Sequence, residues 1–231
     1  MGSVFIDNLE KIRYRMTAAA ARTNRDGMLI GLVVVTKYAA LEDVRAALTS
    51  GLVQEVGENR VQDAEKKRKE LGELAGKVRW RLIGHLQTNK AKKAVEVFDA
   101  VDSVDSGKVA TALNAAWNKK GKLPVLIQVK LTDRETQAGC TPAELPGLIE
   151  AVRKLPNLEL NGLMGIAPQG PEAARPAFRK LKEMRDKHLP SGKLSMGMSQ
   201  DFEIAIEEGA DLVRIGTQIF APESDNNGGP A

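Results

Sequence analysis

The sequence predicts an α/β fold, a single (β/α)8 TIM barrel with an extra helix at its N-terminus. Two observations lead to this prediction: the 231 residues fit one large domain, and short β-branched segments alternate with segments of helical periodicity. Eight strands that alternate with helices favour a closed barrel, while an open doubly wound sheet is the alternative topology. Hydrophobic residues make up 42% of the chain, which suffices for a sizeable core without disulfides.

The chain opens with a predicted helix and continues with the first strand. Apolar residues recur every three or four positions between Phe5 and Ala19, which places them along one helix face. Residues 29–35 are continuous, apolar and rich in valine, as expected for a parallel strand covered on both faces. This strand is expected to end at Thr36 and Lys37.

The remaining elements follow in alternation. Strands are predicted over residues 55–57, 79–83, 100–104, 125–129, 158–164, 193–195 and 212–215. Helices are predicted over residues 41–48, 60–71, 90–95, 106–119, 141–154, 172–188 and 201–208. The helix over 141–154 is expected to start with a capping box formed by Thr141 and Glu144. The polar, glycine-rich segment 223–231 predicts a disordered tail, so the barrel domain would span residues 1–222.

The charge pattern gives little support to nucleic-acid binding. The chain has 34 basic and 30 acidic residues, a formal net charge of only +4. Its densest basic run, residues 66–69, is flanked by Glu65 and Glu70 and is interpreted as a solvated helix face. We therefore expect no nucleic-acid partner.

The cysteine and histidine content argues against a metal site and against secretion. Cys140, His85 and His188 are too few and too scattered for a zinc site, and one cysteine cannot form an internal disulfide. The sequence contains neither a signal peptide nor 18 consecutive apolar residues. It therefore predicts a cytoplasmic protein that binds no membrane, and a monomer is expected.

Lys37 is the first candidate for chemistry. Strand alternation places Val33, Val35 and Lys37 on one face, so the ammonium would project into the barrel mouth if the valines fill the interior. Burial there would favour the neutral amine, which can form an imine with an aldehyde. The alternative is an ordinary lysine whose stem packs on apolar surface while its charge reaches water.

The loops after the last two strands form the second candidate site. Barrels commonly bind phosphate there. Gly216 would permit close approach of the backbone, and the hydroxyls of Ser199 and Thr217 could donate to phosphate oxygens. The alternative is that Ser199 caps its helix and Gly216 merely turns the chain. An imine-forming lysine beside a phosphate site indicates pyridoxal 5′-phosphate (PLP), an aldehyde that carries a phosphate.

Four sequence motifs then resemble a known family. They are VVVTKYAALEDVRAAL, VGENRVQDAEKK, LIGHLQTNKAKK and LSMGMSQDFEIAIEEGADLVRIGTQIF. Over residues 5–220 the chain resembles the pyridoxal phosphate homeostasis protein family, which implies a barrel like the N-terminal domain of alanine racemase without its second domain. The resemblance implies a PLP imine on Lys37. It assigns the phosphate to Ser199, Gly216 and Thr217, the pyridine nitrogen to Arg214, and the pocket lining to Asn59 and Met164.

The chain departs from the family pattern at several positions. Arg81 replaces a usual histidine, Lys130 a usual asparagine and Ala221 a usual glycine, while residues 137–139 replace a segment that commonly carries lysine. The imine and phosphate positions are intact. Lys130 should share a strand face with Gln128 and point into the mouth, where a second ammonium would help to keep Lys37 neutral.

These features predict a PLP carrier or buffer in vitamin B6 homeostasis rather than an enzyme, with PLP-dependent apoenzymes as possible recipients. A guanidinium at Arg214 leaves the pyridine nitrogen unprotonated, which weakens the cofactor as an electron sink. The resemblance also implies that a racemase takes its second base, a tyrosine, from the absent domain. Tyr14 falls in the first helix, and Tyr38 is expected to point away from Lys37. A PLP-dependent racemase or lyase, and a barrel that binds a phosphorylated metabolite without an imine, are the alternatives.

Overall fold

A computed structural model describes residues 2–132 and 137–221. Its eight strands are parallel and close into a barrel in chain order, with β8 paired to β1. The strands are β1 (Gly31–Val35), β2 (Glu55–Glu58), β3 (Arg79–Leu82), β4 (Ala100–Val104), β5 (Leu123–Val129), β6 (Leu158–Gly165), β7 (Lys193–Ser195) and β8 (Leu212–Ile215). The predicted closed barrel is confirmed, and the tail predicted over 223–231 lies outside the described residues.

Helices follow the strands and surround the barrel. They are α1 (Gly2–Ala21), α2 (Leu41–Thr49), α3 (Val61–Leu71), α4 (Ala91–Val97), α5 (Gly107–Ala116), α6 (Leu145–Arg153), α7 (Pro171–His188), α8 (Phe202–Glu207) and α9 (Thr217–Phe220). The predicted extra helix is α1, which packs against α8 and α9. Its buried residues include the whole predicted apolar stripe of Phe5, Leu9, Ile12, Met16 and Ala19.

Strand alternation separates an inner from an outer face of the barrel. On β5, Val125, Ile127 and Val129 belong to the large core between strands and helices. Leu126 instead joins Met164 and Leu212 in a small separate cluster, which lies on the inner face. Since successive strand residues point to opposite faces, Gln128 shares the inner face with Leu126, as the sequence predicted.

The predicted helix over 141–154 begins later than expected. The capping box forms, because the N–H and Oγ1 of Thr141 each donate to Glu144 Oε2 at 2.8 Å. Helix α6 nevertheless starts only at Leu145, with Pro146 in its first turn. A helix begun at Pro142 would have carried Pro146 in its interior, where proline removes a hydrogen bond and clashes with the preceding turn. The sequence prediction was wrong here because it gave Pro146 no weight.

The basic run over 66–69 is only partly a solvated face. Lys66 and Lys69 are exposed, as predicted. Lys67 and Arg68 turn inward, on the side of α3 that also buries Ala64 and Leu71. Arg68 donates to the Val97 carbonyl oxygen at 2.6 Å and lies over the Trp80 ring. The two inward-turning residues follow from the helical period of 3.6 residues, because a run of four consecutive residues covers more than one face of the helix.

The described residues contain neither a helix that could span a membrane nor a cluster of metal-ligating side chains. None of the helices within 2–132 and 137–221 is both long and apolar enough to cross a membrane. Within the same ranges, no three metal-ligating side chains come together.

Candidate functional site

The predicted site residues gather at the carboxyl end of the barrel, where parallel strands deliver them to one rim. Lys37 follows β1, Asn59 follows β2, and Ser199 lies in the loop after β7. Met164 and Arg214 are the penultimate residues of β6 and β8, and Gly216 and Thr217 come directly after β8. Because β8 pairs with β1, the lysine and the glycine–threonine segment leave from neighbouring strands.

Lys37 lies in a turn beyond the end of β1. Its side chain is exposed, and its Nζ lies 4.7 Å from the centroid of the Tyr38 ring. The expectation that Tyr38 points away from Lys37 was therefore wrong. Strand alternation does not apply because β1 ends at Val35 and both residues belong to the turn. The burial expected for the lysine side chain is likewise not found in this structure.

Arg214 is a buried cation at the inner face of β8. It donates to Ser195 Oγ at 2.8 Å and to the Gly165 carbonyl oxygen at 2.9 Å. Burial lowers the pKa of its guanidinium to about 10, although the charges of Asp102 and Asp201 oppose that shift. This pKa remains well above neutrality, so Arg214 is a cation inside the barrel below the mouth. Ser195 is a partner that sequence reasoning missed.

The loop after β7, which the sequence predicts to bind phosphate, has an available hydroxyl. Ser199 is half-buried and lies before α8, whose N-cap is Asp201 rather than Ser199. Asp201 Oδ1 accepts the Met198 N–H at 2.6 Å, and burial raises the pKa of this carboxyl. The alternative in which Ser199 caps the helix is therefore excluded. Thr217, on the neighbouring loop, is exposed at the start of α9.

Gly216 is required for close packing of β8 against β1. A Cβ at this position would lie 2.5 Å from the carbonyl oxygen of Val35 and 3.0 Å from its Cβ. The φ of Gly216 is −132°, so space and not backbone conformation demands glycine. Any larger residue would push the loop after β8 away from the end of β1.

Met164 and Gln128 form part of the barrel interior beside Arg214. Met164 is completely buried and stands opposite Gln128 in the β5–β6 register. Gln128 Nε2 donates to the Ala138 carbonyl oxygen, but its Oε1 is buried and has no partner within the described chain. An acceptor of this kind is expected to bind water or a ligand. Gln128 was not predicted as a site residue, and its placement on the inner face of β5 was the available signal.

Asn59 lies at the rim beside a cleft. It is half-buried, and its backbone packs against Gly84, where a Cβ would come within 2.2 Å of the Asn59 carbonyl oxygen. The cleft has a volume of about 250 Å³ and is also lined by Arg60, His85 and Lys90. His85 Nδ1 lies 3.0 Å from Asp105 Oδ2. Sequence reasoning had considered His85 only as a metal ligand.

Gln137, one of the residues that depart from the family pattern, makes hydrogen bonds on both sides of the described segment after β5. Gln137 Nε2 donates a hydrogen bond to the Ile166 carbonyl oxygen at 2.8 Å, and Gln137 Oε1 accepts one from the Thr132 hydroxyl at 2.7 Å. Lys130 is half-buried, and its charge helps to lower the pKa of Glu144, after the hydrogen bonds from Thr141. The hypothesis that Lys130 lies beside Lys37 stays a prediction.

Arg81, the residue in place of a usual histidine, forms a buried ion cluster inside the barrel. It donates to both carboxylate oxygens of Asp102, at 2.9 and 2.6 Å, and to Glu55 Oε2 at 3.1 Å. Burial disfavours the Arg81 cation, but the charges and hydrogen bonds of Asp102 and Glu55 outweigh it and raise its pKa. The cluster lies close enough to Arg214 to affect its pKa, which the Asp102 charge raises and the Arg81 charge lowers.

Replacing Arg81 by alanine should lower the free energy of unfolding by about 3–5 kcal/mol, because it leaves the buried Asp102 carboxylate unpaired. Urea unfolding monitored by circular dichroism measures this loss. Arg79→Ala is the matched control on the same strand, since Arg79 is 54% exposed and lies 3.8 Å from Glu55. The control should cost less than about 1 kcal/mol. Equal losses in the two variants would contradict a special role for the buried cluster.

Comparisons with known proteins agree with this geometry. The family described as the N-terminal domain of alanine racemase matches residues 8–223. A Pseudomonas aeruginosa protein named pyridoxal phosphate homeostasis protein is 41% identical and covers 94% of this chain and 95% of its own. An Aquifex aeolicus protein of the same name is 38% identical, with 93% and 96% covered.

A solved structure gives the same fold with a bound cofactor. It is PipY of Synechococcus elongatus with PLP bound, which is 33% identical to this chain and superimposes with a TM-score of 0.76. The alignment covers 94% of this chain and 100% of PipY.

Proposed function

Since this chain belongs to the pyridoxal phosphate homeostasis protein family, we propose that it binds PLP through Lys37 and serves as a carrier or buffer of PLP in vitamin B6 homeostasis. The contact of Gly216 with Val35 is the observation that carries the proposal. It joins the segment after β8, which precedes Thr217, to the end of β1, which precedes Lys37. The two chain segments that carry the proposed amine and the proposed hydroxyl donor therefore leave the barrel next to each other.

The residues at the mouth fit PLP in chemistry. PLP supplies an aldehyde, which a lysine amine can bind covalently, and a phosphate dianion. Lys37 offers an exposed amine, and Ser199 and Thr217 offer hydroxyl donors. Gln128 Oε1 is a buried acceptor still without a partner in the described chain. Asn59 follows β2 at the same end of the barrel, and Met164 is buried in its interior; we propose that both line the PLP pocket.

Arg214 is the residue that we propose faces the pyridine nitrogen of PLP. Its guanidinium can only donate hydrogen bonds, so a pyridine nitrogen facing it would remain an unprotonated acceptor. PLP enzymes that stabilise a carbanion commonly use a carboxylate partner, which keeps that nitrogen protonated. The buried cation of Arg214 thus supports binding without turnover.

The tyrosines of the chain also argue against a two-base racemase. Such an enzyme needs a base on the face of the cofactor opposite the lysine. Tyr38 lies against Lys37 itself, and Tyr14 is 78% exposed on α1. Neither tyrosine is placed as an opposing base.

The protein should therefore racemise alanine and serine no faster than free PLP does. Chiral chromatography after incubation of PLP-loaded protein with each L-amino acid measures the rate. A genuine alanine racemase in the same buffer is the positive control. Turnover well above the free-cofactor rate would remove the carrier function and favour the racemase or lyase alternative.

Borohydride reduction followed by peptide mass mapping tests the proposed function directly. Reduction of the PLP-loaded protein should attach one pyridoxyl phosphate group to the peptide that contains Lys37. Modification at another lysine would show that the residue assignment is wrong. A protein that retains PLP but shows no imine absorbance and no reductive labelling would instead be a barrel that binds phosphorylated metabolites non-covalently.

The cellular setting follows from the same proposal. PLP-dependent apoenzymes in the cytoplasm are the recipients we propose, and the carrier is proposed to act as a monomer. Sedimentation of the PLP-loaded protein gives its mass. Transfer of PLP to an apoenzyme can be measured as the loss of imine absorbance from the carrier. A competing PLP trap in solution distinguishes direct hand-off from release of free PLP.

A further inference from the structure

A buried ion pair lies directly behind the residue that precedes Lys37. Glu58, the last residue of β2, is completely buried. Its Oε1 accepts two hydrogen bonds, one from Thr36 Oγ1 and one from Lys67 Nζ, each at 2.6 Å. Lys67 Nζ also donates to the backbone carbonyl oxygen of Thr36. The end of β1, the end of β2 and helix α3 are thus joined at a single carboxylate.

Stability alone does not account for this pair. Removing both charges from water is costly, and apolar residues of similar volume often serve a protein core equally well. The second oxygen, Glu58 Oε2, is buried without a partner among the residues that the structure describes, so the carboxylate is incompletely compensated. Helix α3 is already docked by its apolar residues Val61, Ala64 and Leu71. The pair is therefore not required merely to attach the helix.

Lys37, in contrast, depends on its backbone for its position. Its side chain is exposed, with the Tyr38 ring as its contact, and β1 ends two residues earlier. Thr36 is completely enclosed, and its N–H donates to the Gly57 carbonyl oxygen. Its side chain and its carbonyl oxygen are the groups that Glu58 and Lys67 hold. The direction in which the chain leaves the barrel is set at this residue.

We propose that Glu58 and Lys67 are positioning residues for Lys37, which clamp Thr36 and so fix the Lys37 backbone at the barrel mouth. This inference rests on the proposed function of Lys37 as the PLP-binding amine. It assigns a role to Lys67, which sequence reasoning had placed on a solvated face. Neither residue is expected to contact PLP, because both lie on the outer side of the strands, behind Thr36.

Lys67→Met tests the proposal, with Lys66→Met as the matched control, because Lys66 is its exposed neighbour in the same basic run. In stopped-flow measurements, Lys67→Met should form the PLP imine roughly tenfold or more slowly, as expected when a reacting group is misplaced. The affinity for pyridoxine 5′-phosphate, which has no aldehyde, should stay unchanged. Lys67→Arg keeps a charged donor and should recover much of the rate, and the control should behave like the wild type.

Thr36→Val decides the matter if Lys67→Met does not fold, because it removes one hydroxyl and little else. It should slow imine formation and, in the ligand-free protein, increase hydrogen exchange over residues 31–40. An unchanged rate in a folded variant, or equal losses for PLP and pyridoxine 5′-phosphate, would overturn the positioning role while Lys37 kept its function. If the wild type forms no imine, the proposed function falls and this inference falls with it.

Discussion

Lys37→Ala is expected to abolish the imine absorbance of the PLP-loaded protein completely. The reason is geometric, because the phosphate contacts proposed at Ser199 and Thr217 bring the aldehyde to the end of β1, where Lys37 supplies the amine. PLP would then be held by non-covalent contacts alone and should be lost on dialysis. Absorbance spectra before and after dialysis measure both effects.

Lys130→Asn is the matched control, since it removes a lysine from the loop region after β5 and restores the usual family residue. This control should retain the imine. If Lys130 lies beside Lys37, the Lys37 imine of the Lys130→Asn variant should form at a higher pH than that of the wild type. The reason is that the neighbouring ammonium, which this variant lacks, helps to keep Lys37 neutral. An unchanged pH dependence would instead show that Lys130 does not lie beside Lys37. Retained imine absorbance in Lys37→Ala itself would show that another lysine binds the aldehyde.

The second large effect is expected from removal of the phosphate donors. Hydrogen bonds to a charged group contribute about 1.5–3 kcal/mol each, so Ser199→Ala combined with Thr217→Val should weaken PLP binding by roughly two to four decades. Pyridoxal has the same aldehyde without the phosphate, and its binding should change little. Equilibrium titration of each ligand, followed by absorbance, gives the two affinities.

The comparison of the two ligands makes this experiment specific. A variant that has lost its barrel mouth would bind both ligands poorly, whereas loss of phosphate contacts affects PLP alone. Thr111→Val is a suitable control, because Thr111 is an exposed residue of α5 and belongs to no proposed contact. Equal losses for PLP and pyridoxal would contradict the assignment of Ser199 and Thr217 to the phosphate.

Local sequence patterns were sufficient for most of the fold. The valine-rich segment of β1, the alternation along β5 and the stripe from Phe5 to Ala19 record which face of each element is buried. This information is local, since a period of two or of 3.6 residues can be recognised within a single element. One exception, the late start of α6, also had a local cause in Pro146.

The sequence by itself also determined which residue types reach the barrel mouth, because the carboxyl ends of parallel strands meet there. Only the tertiary structure decided how their neighbours are paired. In the sequence, Lys67 cannot be distinguished from the other charges of its basic run. Only the folded structure brings it into contact with Glu58 and Thr36. The availability of Gln128 Oε1 likewise depends on what surrounds it in space. Burial and hydrogen-bond partnership are properties of several elements packed together, so no single segment of sequence contains them.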